Sequence, residues 1–157
     1  MMGYLYDLLA NEMFMAAVIS WACAQIIKTV INLVLTRSFD PERLIGSGGM
    51  PSSHSAFVTG LATAAFLSEG PGSPAFAICF VLAFVVMYDA MGVRKETGTE
   101  AKILNRLRKR DIRDGVKPLF NKPLEEKIGH TLPEVLVGTA IGIVMGIVMC
   151  RVSALIP

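Results

Sequence analysis

Residues 75–93 read AFAICFVLAFVVMYDAMGV, and Asp89 is the one charged residue among them. A run of about 20 residues this apolar is long enough to cross the hydrocarbon core of a bilayer as one helix. Of the 157 residues, 53% are hydrophobic and 18% are charged, and the mean hydropathy is +0.54. This composition points to a membrane protein, and a net charge of +2 gives no reason to expect nucleic-acid binding.

Three further segments could cross a membrane, at residues 13–35, 51–67 and 132–150. The sequence therefore predicts an all-α integral membrane protein with about four transmembrane helices, folded as a single membrane domain over residues 1–157. The opening MMGYLYDLLA lacks a basic leader and a small-residue cleavage pattern. We therefore expect the first apolar segment to stay in the mature protein.

The polar loop at residues 94–129 carries 11 of the 15 Lys and Arg residues. The positive-inside rule predicts that this loop is cytoplasmic and, with four spans, that both termini lie outside a bacterial-type plasma membrane. Residues 98–109 predict a short amphipathic helix with Ile103, Leu104 and Leu107 on one side. This helix either rests on anionic headgroups or is a solvated connector.

The stretch GGMPSSHSA at residues 48–56 opens the second apolar segment. Glycines let the backbone approach a ligand closely, and the free N–H groups of a helix start can bind an anion. Ser52 and Ser53 add hydroxyls there, and His54 could exchange a proton with the anion. The alternative is a well-capped helix start with an interfacial histidine.

Polar residues of the first segment fall on one helical stripe: Gln25, Lys28, Asn32 and Thr36. A lysine inside a span usually faces the protein interior or a polar cavity, and the long Lys28 side chain could point toward the cytoplasmic face. The alternative is hydrogen bonding between helices combined with snorkelling of Lys28.

The segment GHTLPEV at residues 129–135 allows two interpretations of Glu134. If the helix includes His130, Glu134 lies one turn later and could orient the imidazole. If Thr131 caps the helix, Glu134 completes a capping box and is structural. In the third segment, Asp89 is either a functional carboxylate or the ion-pair partner of a cation such as Arg94.

The predicted topology brings the polar ends of all four segments to one membrane face, including Arg37, His54, Asp89, Arg94 and His130. These include the chain's 2 histidines. Their convergence predicts a shared site. On the fourth segment the repeated glycines favour close helix packing and a homodimer, and they are Gly138, Gly142 and Gly146.

Four motifs together resemble the divergent branch of the type 2 phosphatidic acid phosphatase family, which is related to the vanadium haloperoxidases. They are QIIK at 25–28, GGMPSSHSA at 48–56, YDAMGVRKETG at 88–98 and GHTLPEVLVG at 129–138. The resemblance implies that His130 attacks phosphorus, that Glu134 orients it and that His54 protonates the leaving group. It implies no metal and no other cofactor. The expected phosphate-binding residues are Lys28, Arg37, Gly49, Ser52, Ser53 and Arg94, with Asp89 in support.

The resulting prediction is a phosphatase or phosphotransferase that acts on a phosphorylated membrane lipid through a histidine nucleophile. The alternative is a non-catalytic protein that binds or transports lipid phosphates with the same anion pocket. The absence of the family's Ser-Arg pair before His130 favours this alternative. A metal site built from the histidines and carboxylates has no support from short ligand spacing.

Overall fold

The structure is a computed structural model that describes residues 2–38, 49–126 and 128–155. The helices in these ranges are α1 (Met2–Leu9), α2 (Glu12–Thr36), α3 (Ser53–Glu69), α4 (Pro74–Met91), α5 (Val93–Arg113) and α6 (Leu132–Ser153). The remaining described residues form turns and irregular connections. The predicted all-helical class is therefore confirmed for this part of the chain.

Three helical segments in the described ranges are long and apolar enough to cross a membrane. They are α2, the consecutive pair α4 and α5, and α6. The helix α3 has 17 residues, so at 1.5 Å per residue it is about 25 Å long, less than the roughly 30 Å hydrocarbon core. Four crossings therefore remain a prediction.

The helix α3 lies between α2, α4 and α6 and begins two residues later than the sequence suggested. Ser52 is its N-cap, and the Ser52 hydroxyl accepts a hydrogen bond from the backbone N–H of Ser55 at 3.3 Å. A serine hydroxyl satisfies a free N–H of the first turn. The cap therefore sets the helix start at Ser53, after Pro51.

Small side chains form most of the protein's core. The buried apolar residues are mainly alanines, among them Ala16, Ala24, Ala56, Ala64 and Ala90. Large apolar side chains of α4 instead point outward: Phe80, Phe84 and Tyr88 are exposed. In membranes, small residues at helix contacts permit close van der Waals packing while large ones face lipid.

The glycine face of α6 packs against α3 within the same chain. A Cβ at Gly142 would lie 2.5 Å from the carbonyl oxygen of Ala56, and one at Gly146 would lie 2.8 Å from the Cβ of Thr63. The predicted close packing is confirmed. The homodimer expected through this face stays a prediction, and in one chain the face packs against α3.

The helix α5 is longer than the predicted helix at 98–109, because nothing between Gly92 and Gly115 interrupts it. Gly92 is its N-cap, and Gly115, at φ +71°, follows its last turn. Ile103, Leu104 and Leu107 are exposed on its surface. Their apolar side chains therefore remain available for contact outside the chain.

The chain returns along α5 through residues 116–126 and 128–130, which we call the return segment. The side-chain nitrogen Nδ2 of Asn105 donates to the backbone carbonyl oxygen of Leu124 at 2.8 Å. The backbone N–H of Leu124 donates to the side-chain oxygen Oδ1 of Asn105 at 2.9 Å. Arg108 donates to the carbonyl oxygens of Phe120 at 3.1 Å and Asn121 at 2.6 Å. These bonds lead the chain back to His130.

Candidate functional site

Two backbone hydrogen bonds join the helix ends that carry the candidate residues. The N–H of His130 donates to the carbonyl oxygen of Ala90 at the end of α4, at 2.9 Å. The N–H of Ser52 donates to the carbonyl oxygen of Glu134 in the first turn of α6, at 3.0 Å. The starts of α3 and α6 and the end of α4 therefore meet at one place.

The two histidines are neighbours at this place. The ring centroids of His54 and His130 are 6.4 Å apart, and the ring planes are inclined by 56°. His54 is half-buried in the first turn of α3, and His130 is buried just before α6. Residues 76 positions apart in the sequence are thus close enough to act on one small group.

Glu134 performs both of the alternatives that the sequence left open. One of its carboxylate oxygens, Oε2, accepts a hydrogen bond from the Thr131 N–H at 2.8 Å and lies 3.3 Å from Nδ1 of His130. The capping box with Thr131 is present. A carboxylate at Nδ1 favours a proton on that nitrogen and leaves the lone pair on Nε2.

Lys28 reaches this region from α2. Its ammonium group lies 3.3 Å from the hydroxyl oxygen of Ser53 and can donate to it. Lys28 and Ser53 are each only 2% exposed. A buried lysine is costly unless it faces polar partners or an anion. The position of Lys28 beside the polar start of α3 lowers this cost.

Two cavities lie beside His130. The smaller cavity, of about 200 Å³, lies between α3, α4 and the start of α5. Its polar lining consists of His54, Asp89, Arg94 and His130. Nε of Arg94 donates to the Asp89 carboxylate at 2.8 Å, so the structure pairs Asp89 with Arg94 rather than with Lys28. The remaining guanidinium donors of Arg94 can still contact an anion.

A charged cavity of about 670 Å³ lies on the other side of His130. Its charged and titratable lining residues are Lys28, Lys95, Lys102, Glu126, His130 and Glu134. Both cavities also contact Gly129. His130 and Gly129 therefore border both spaces, and both are large enough to admit a phosphate group or water.

Gly129 allows the return segment to approach α5. Its φ is +87°, and a Cβ at this position would lie 2.5 Å from the backbone nitrogen of Lys95. A side chain would therefore be strained in two ways. Gly49, at φ +92°, lines the charged cavity, as expected of a glycine near a ligand.

Three expected phosphate ligands, Arg37, Ser52 and Ser53, lie outside both cavity linings. Arg37 is exposed and ends α2 in the left-handed conformation, at φ 53°. The Ser52 hydroxyl is fully buried as the cap of α3, and its oxygen also accepts from the Ser55 hydroxyl at 2.9 Å. The capped-helix interpretation therefore describes Ser52, while His54 and Ser53 remain near the site.

Lys102 belongs to the charged cavity, although sequence reasoning did not select it. Lys95 and Lys102 are seven residues apart and lie on one face of α5 together with Thr99. Helical periodicity would have indicated this face if the helix had been predicted to begin before Lys95. Lys102 was therefore missed because the helix was predicted to begin at residue 98, after Lys95, whereas α5 begins at Val93.

Burial lowers the pKa of His130 below its ordinary value of 6.5. The Glu134 hydrogen bond and charge raise the pKa, and the cations Lys28 and Arg94 lower it further. The net result favours neutral His130 near pH 7, and a neutral imidazole is what a nucleophile or base requires. No group of three or more metal-binding side chains occurs among the described residues.

Two comparisons with known proteins give significant matches. The chain is 34% identical over 152 residues to the uncharacterized membrane protein YuiD of Bacillus subtilis (strain 168), and the alignment covers 91% of this chain and 96% of that relative. No solved structure matches the chain significantly. The relative and the apolar helices together identify an integral membrane protein. Residues 9–145 match the Divergent PAP2 family, and the chain therefore belongs to that family.

Proposed function

We propose that the protein is a membrane-embedded phosphatase that cleaves a lipid phosphate through a histidine nucleophile. The observation that supports this proposal best is the 6.4 Å separation of the His54 and His130 rings, with Glu134 at the far nitrogen of His130. A nucleophile and a proton donor must flank one phosphorus atom. The two imidazoles are near enough to do so.

In the first step, Nε2 of His130 attacks phosphorus while the bond from phosphorus to the lipid oxygen breaks. His54, protonated beside the phosphate dianion, gives its proton to that oxygen, and the lipid alcohol leaves. The Glu134 carboxylate, 3.3 Å from Nδ1, stabilises the positive charge that develops on the His130 ring.

In the second step, neutral His54 removes a proton from water, and the resulting hydroxide attacks the phosphorus of phosphohistidine. The bond from nitrogen to phosphorus breaks, inorganic phosphate leaves, and both histidines return to their starting states. Phosphoryl transfer depends mainly on positioning and on cations near the phosphoryl oxygens. Lys28, Lys95 and Arg94 lie in the linings of the two cavities beside His130 and supply that charge.

The proposed topology has four crossings by α2, α3, α4 and α6, with both termini outside and α5 in the cytoplasm. The charge distribution supports it, because 11 of 15 basic residues lie in residues 94–129. The site then opens to the cytoplasmic leaflet of the plasma membrane. The single membrane domain over residues 1–157 is part of the same proposal.

The direct test measures phosphate release by purified protein from phosphatidic acid and from polyprenyl phosphates. We expect release by the wild type and a loss of at least about a hundredfold in His130→Ala and His54→Ala, as for other positioned acids and bases. Lys117→Ala, which changes an exposed cation outside both cavity linings, is the control and should keep the wild-type rate. Equal rates in the wild type and both histidine variants would refute the proposal.

A second function, lipid-phosphate binding or transport without catalysis, is favoured by one observation. Arg37, Ser52 and Ser53, three of the expected phosphate ligands, lie outside both cavity linings, so fewer groups are available to stabilise a transition state. This function predicts headgroup-dependent lipid binding that survives His130→Ala and fails in Lys28→Ala. Binding that is indifferent to both substitutions and to Arg37→Ala would exclude it.

A further inference from the structure

An apolar groove runs along the outside of the protein between α2 and α6. Its volume is about 500 Å³. Apart from Cys23, its lining is wholly hydrophobic, and it includes Ile27, Leu136, Ala140, Val144 and Met145. We call it the α2–α6 groove.

The α2–α6 groove continues the charged cavity along both of its helices. On α2, Ile27 lines the groove and Ile31, four residues later on the same face, lines the charged cavity. On α6, Glu134 lines the charged cavity and Val137, three residues later on the same face, lines the groove. A ligand that crosses from one space to the other must therefore be polar at one end and apolar at the other.

The depth of the groove suits one lipid tail. From Glu134 to Met145 the helix advances eleven residues, which is about 16 Å at 1.5 Å per residue. This is about half of the roughly 30 Å hydrocarbon core, the depth of one leaflet. A tail that begins at the headgroup level would reach the middle of the bilayer along this groove.

The charges above the groove specify the head of the ligand. Lys28, Lys95 and Lys102 line the charged cavity together with two acidic residues, Glu126 and Glu134. The excess of cations suits an anionic head. The apolar lining of the groove suits a hydrocarbon chain.

We propose that the α2–α6 groove is the binding site for the hydrocarbon tail of the phosphorylated lipid whose head enters through the charged cavity and reaches His130, which lines both cavities and whose ring is 6.4 Å from that of His54. This inference rests on the proposed function for the identity of the head. It adds the route by which the lipid approaches His130, which is sideways from the membrane between α2 and α6. It also assigns a binding role to residues that take no part in the chemistry.

A second apolar groove, between α3, α4 and α6, provides the comparison. It is lined by residues such as Phe66, Phe80, Phe84 and Ile143, and its volume is about 460 Å³. On α4, Met87 of this groove is followed two residues later by Asp89 of the smaller cavity, where Arg94 is already paired with Asp89. The charge there is balanced, so this groove lacks the cationic head site that an anionic lipid needs.

The test introduces the same large side chain into each groove. Ala140→Trp fills the α2–α6 groove, and Ile143→Trp, one turn later on α6, fills the other groove. Phosphate release is measured from phosphatidic acid with hexadecanoyl tails and from p-nitrophenyl phosphate, which has no tail. We expect Ala140→Trp to lower kcat/KM for phosphatidic acid about tenfold, the effect of losing contact with about two methylene groups.

The rate on p-nitrophenyl phosphate should stay within about twofold of the wild type in both variants, because the chemical groups are unchanged. An equal loss on both substrates in Ala140→Trp, or a tail-dependent loss in Ile143→Trp alone, would overturn the inference. A variant that fails to fold is recognised by circular dichroism in detergent, and the crosslinking of the wild-type protein described next then decides.

Photocrosslinking separates this inference from the proposed function. Phosphatidic acid with a diazirine in the middle of one tail is mixed into phosphatidylcholine vesicles that contain the wild-type protein. We expect crosslinks in residues 136–145 that excess unlabelled phosphatidic acid removes. Crosslinks in residues 76–87, or spread evenly over all helices, would overturn the groove assignment. Crosslinks in 136–145 without phosphate release would refute the phosphatase and leave the groove assignment standing.

Discussion

Two regions of the molecule hold neighbouring segments of the chain together by different means. Where α6 crosses α3, glycines remove side chains, and a Cβ at Gly142 would lie 2.5 Å from the Ala56 carbonyl oxygen. Where the return segment meets α5, Gly129 also permits the approach, but the side chains of Asn105 and Arg108 in addition bind backbone groups directly. The first contact is within the apolar bundle and relies on van der Waals packing, whereas the second is among polar residues and relies on hydrogen bonds.

The difference teaches how His130 is positioned. From one side, the packing of α6 on α3 fixes the first turn of α6 and with it Glu134. From the other side, the return segment delivers His130, whose N–H donates to Ala90. A change in either contact should therefore move the same imidazole, while the size and kind of the effect should differ.

The largest effect is expected from Gly142→Ala. The new Cβ would meet the Thr59 hydroxyl and lie 2.5 Å from the Ala56 carbonyl oxygen, so α3 and α6 must separate. Overpacking of this kind costs about 3 kcal/mol of unfolding free energy. The measurement is thermal unfolding in detergent followed by circular dichroism. Gly72→Ala, where no atom lies within 4 Å of the added Cβ, is the control, and equal midpoints for the two variants would contradict the packing argument.

The next effect is expected from Asn105→Ala in the polar region. The substitution removes the partners of both backbone groups of Leu124, and the loss should cost about 2 kcal/mol of local opening free energy. Hydrogen exchange of residues 120–128 should accelerate, with little change in the apolar helices. The control is Asn121→Ala, because Asn121 binds Arg108 through its backbone carbonyl alone. Unchanged exchange in Asn105→Ala would show that the return segment is fixed by other contacts.

A smaller effect is expected from Arg108→Lys. The guanidinium group binds two successive carbonyl oxygens, those of Phe120 and Asn121, and a lysine cannot reproduce this forked geometry. The expected loss is about 1 kcal/mol, visible as faster exchange near residues 120 and 121. Arg106→Lys, on the exposed surface of the same helix, should change nothing. If the two variants behave alike, the charge rather than the fork anchors the return segment.

The smallest effect concerns the pH dependence of His130. Because burial lowers its pKa below 6.5 in the folded protein, the unfolded chain binds its proton at a higher pH. The folded state is therefore favoured fully above pH 6.5, and the favourable term is lost as the pH falls through the lowered pKa. Phosphate release should fall over the same acidic range, since protonated His130 cannot attack.

A variant with an opened return segment tests the pH dependence of His130 further. Asn105→Ala would admit water to His130 and raise its pKa toward 6.5, and the acidic limb of kcat/KM against pH would move with it. The His130 proton resonances, titrated by NMR in micelles, report the same change independently. An unchanged limb in a variant with faster exchange would show that the return segment does not bury His130.

Hydropathy and helical spacing predicted the parts of the fold that depend on local pattern. The segments around residues 13–35, 75–93 and 132–150 are helices within a few residues of the predicted bounds. The stripe through Lys28 correctly indicated an inward lysine. The polar ends of the segments predicted that His54 and His130 would meet, and their rings are neighbours.

The remaining features depend on contacts between distant residues. Asn105 and Leu124 are 19 positions apart, and no periodicity links a helix to an irregular segment. The two interpretations of Glu134 were treated as exclusive, yet one carboxylate oxygen satisfies both Thr131 and His130. The assignment of Arg37 to the site stays a prediction: Arg37 ends α2 in the left-handed conformation, and spacing alone does not reveal the direction in which such a residue turns the chain.

The alanine-rich core has a consequence for which substitutions the protein can accept. The side chains at its inner positions, such as Ala56 and Ala64, are completely buried. Substitution by any larger residue there should therefore be selected against. The exposed apolar positions of α4, such as Phe80 and Val81, face away from the rest of the protein. They should accept apolar residues of many sizes. A saturation scan should therefore show that few substitutions are accepted at the small buried residues and many at the large exposed ones. This is the reverse of the pattern typical of water-soluble proteins.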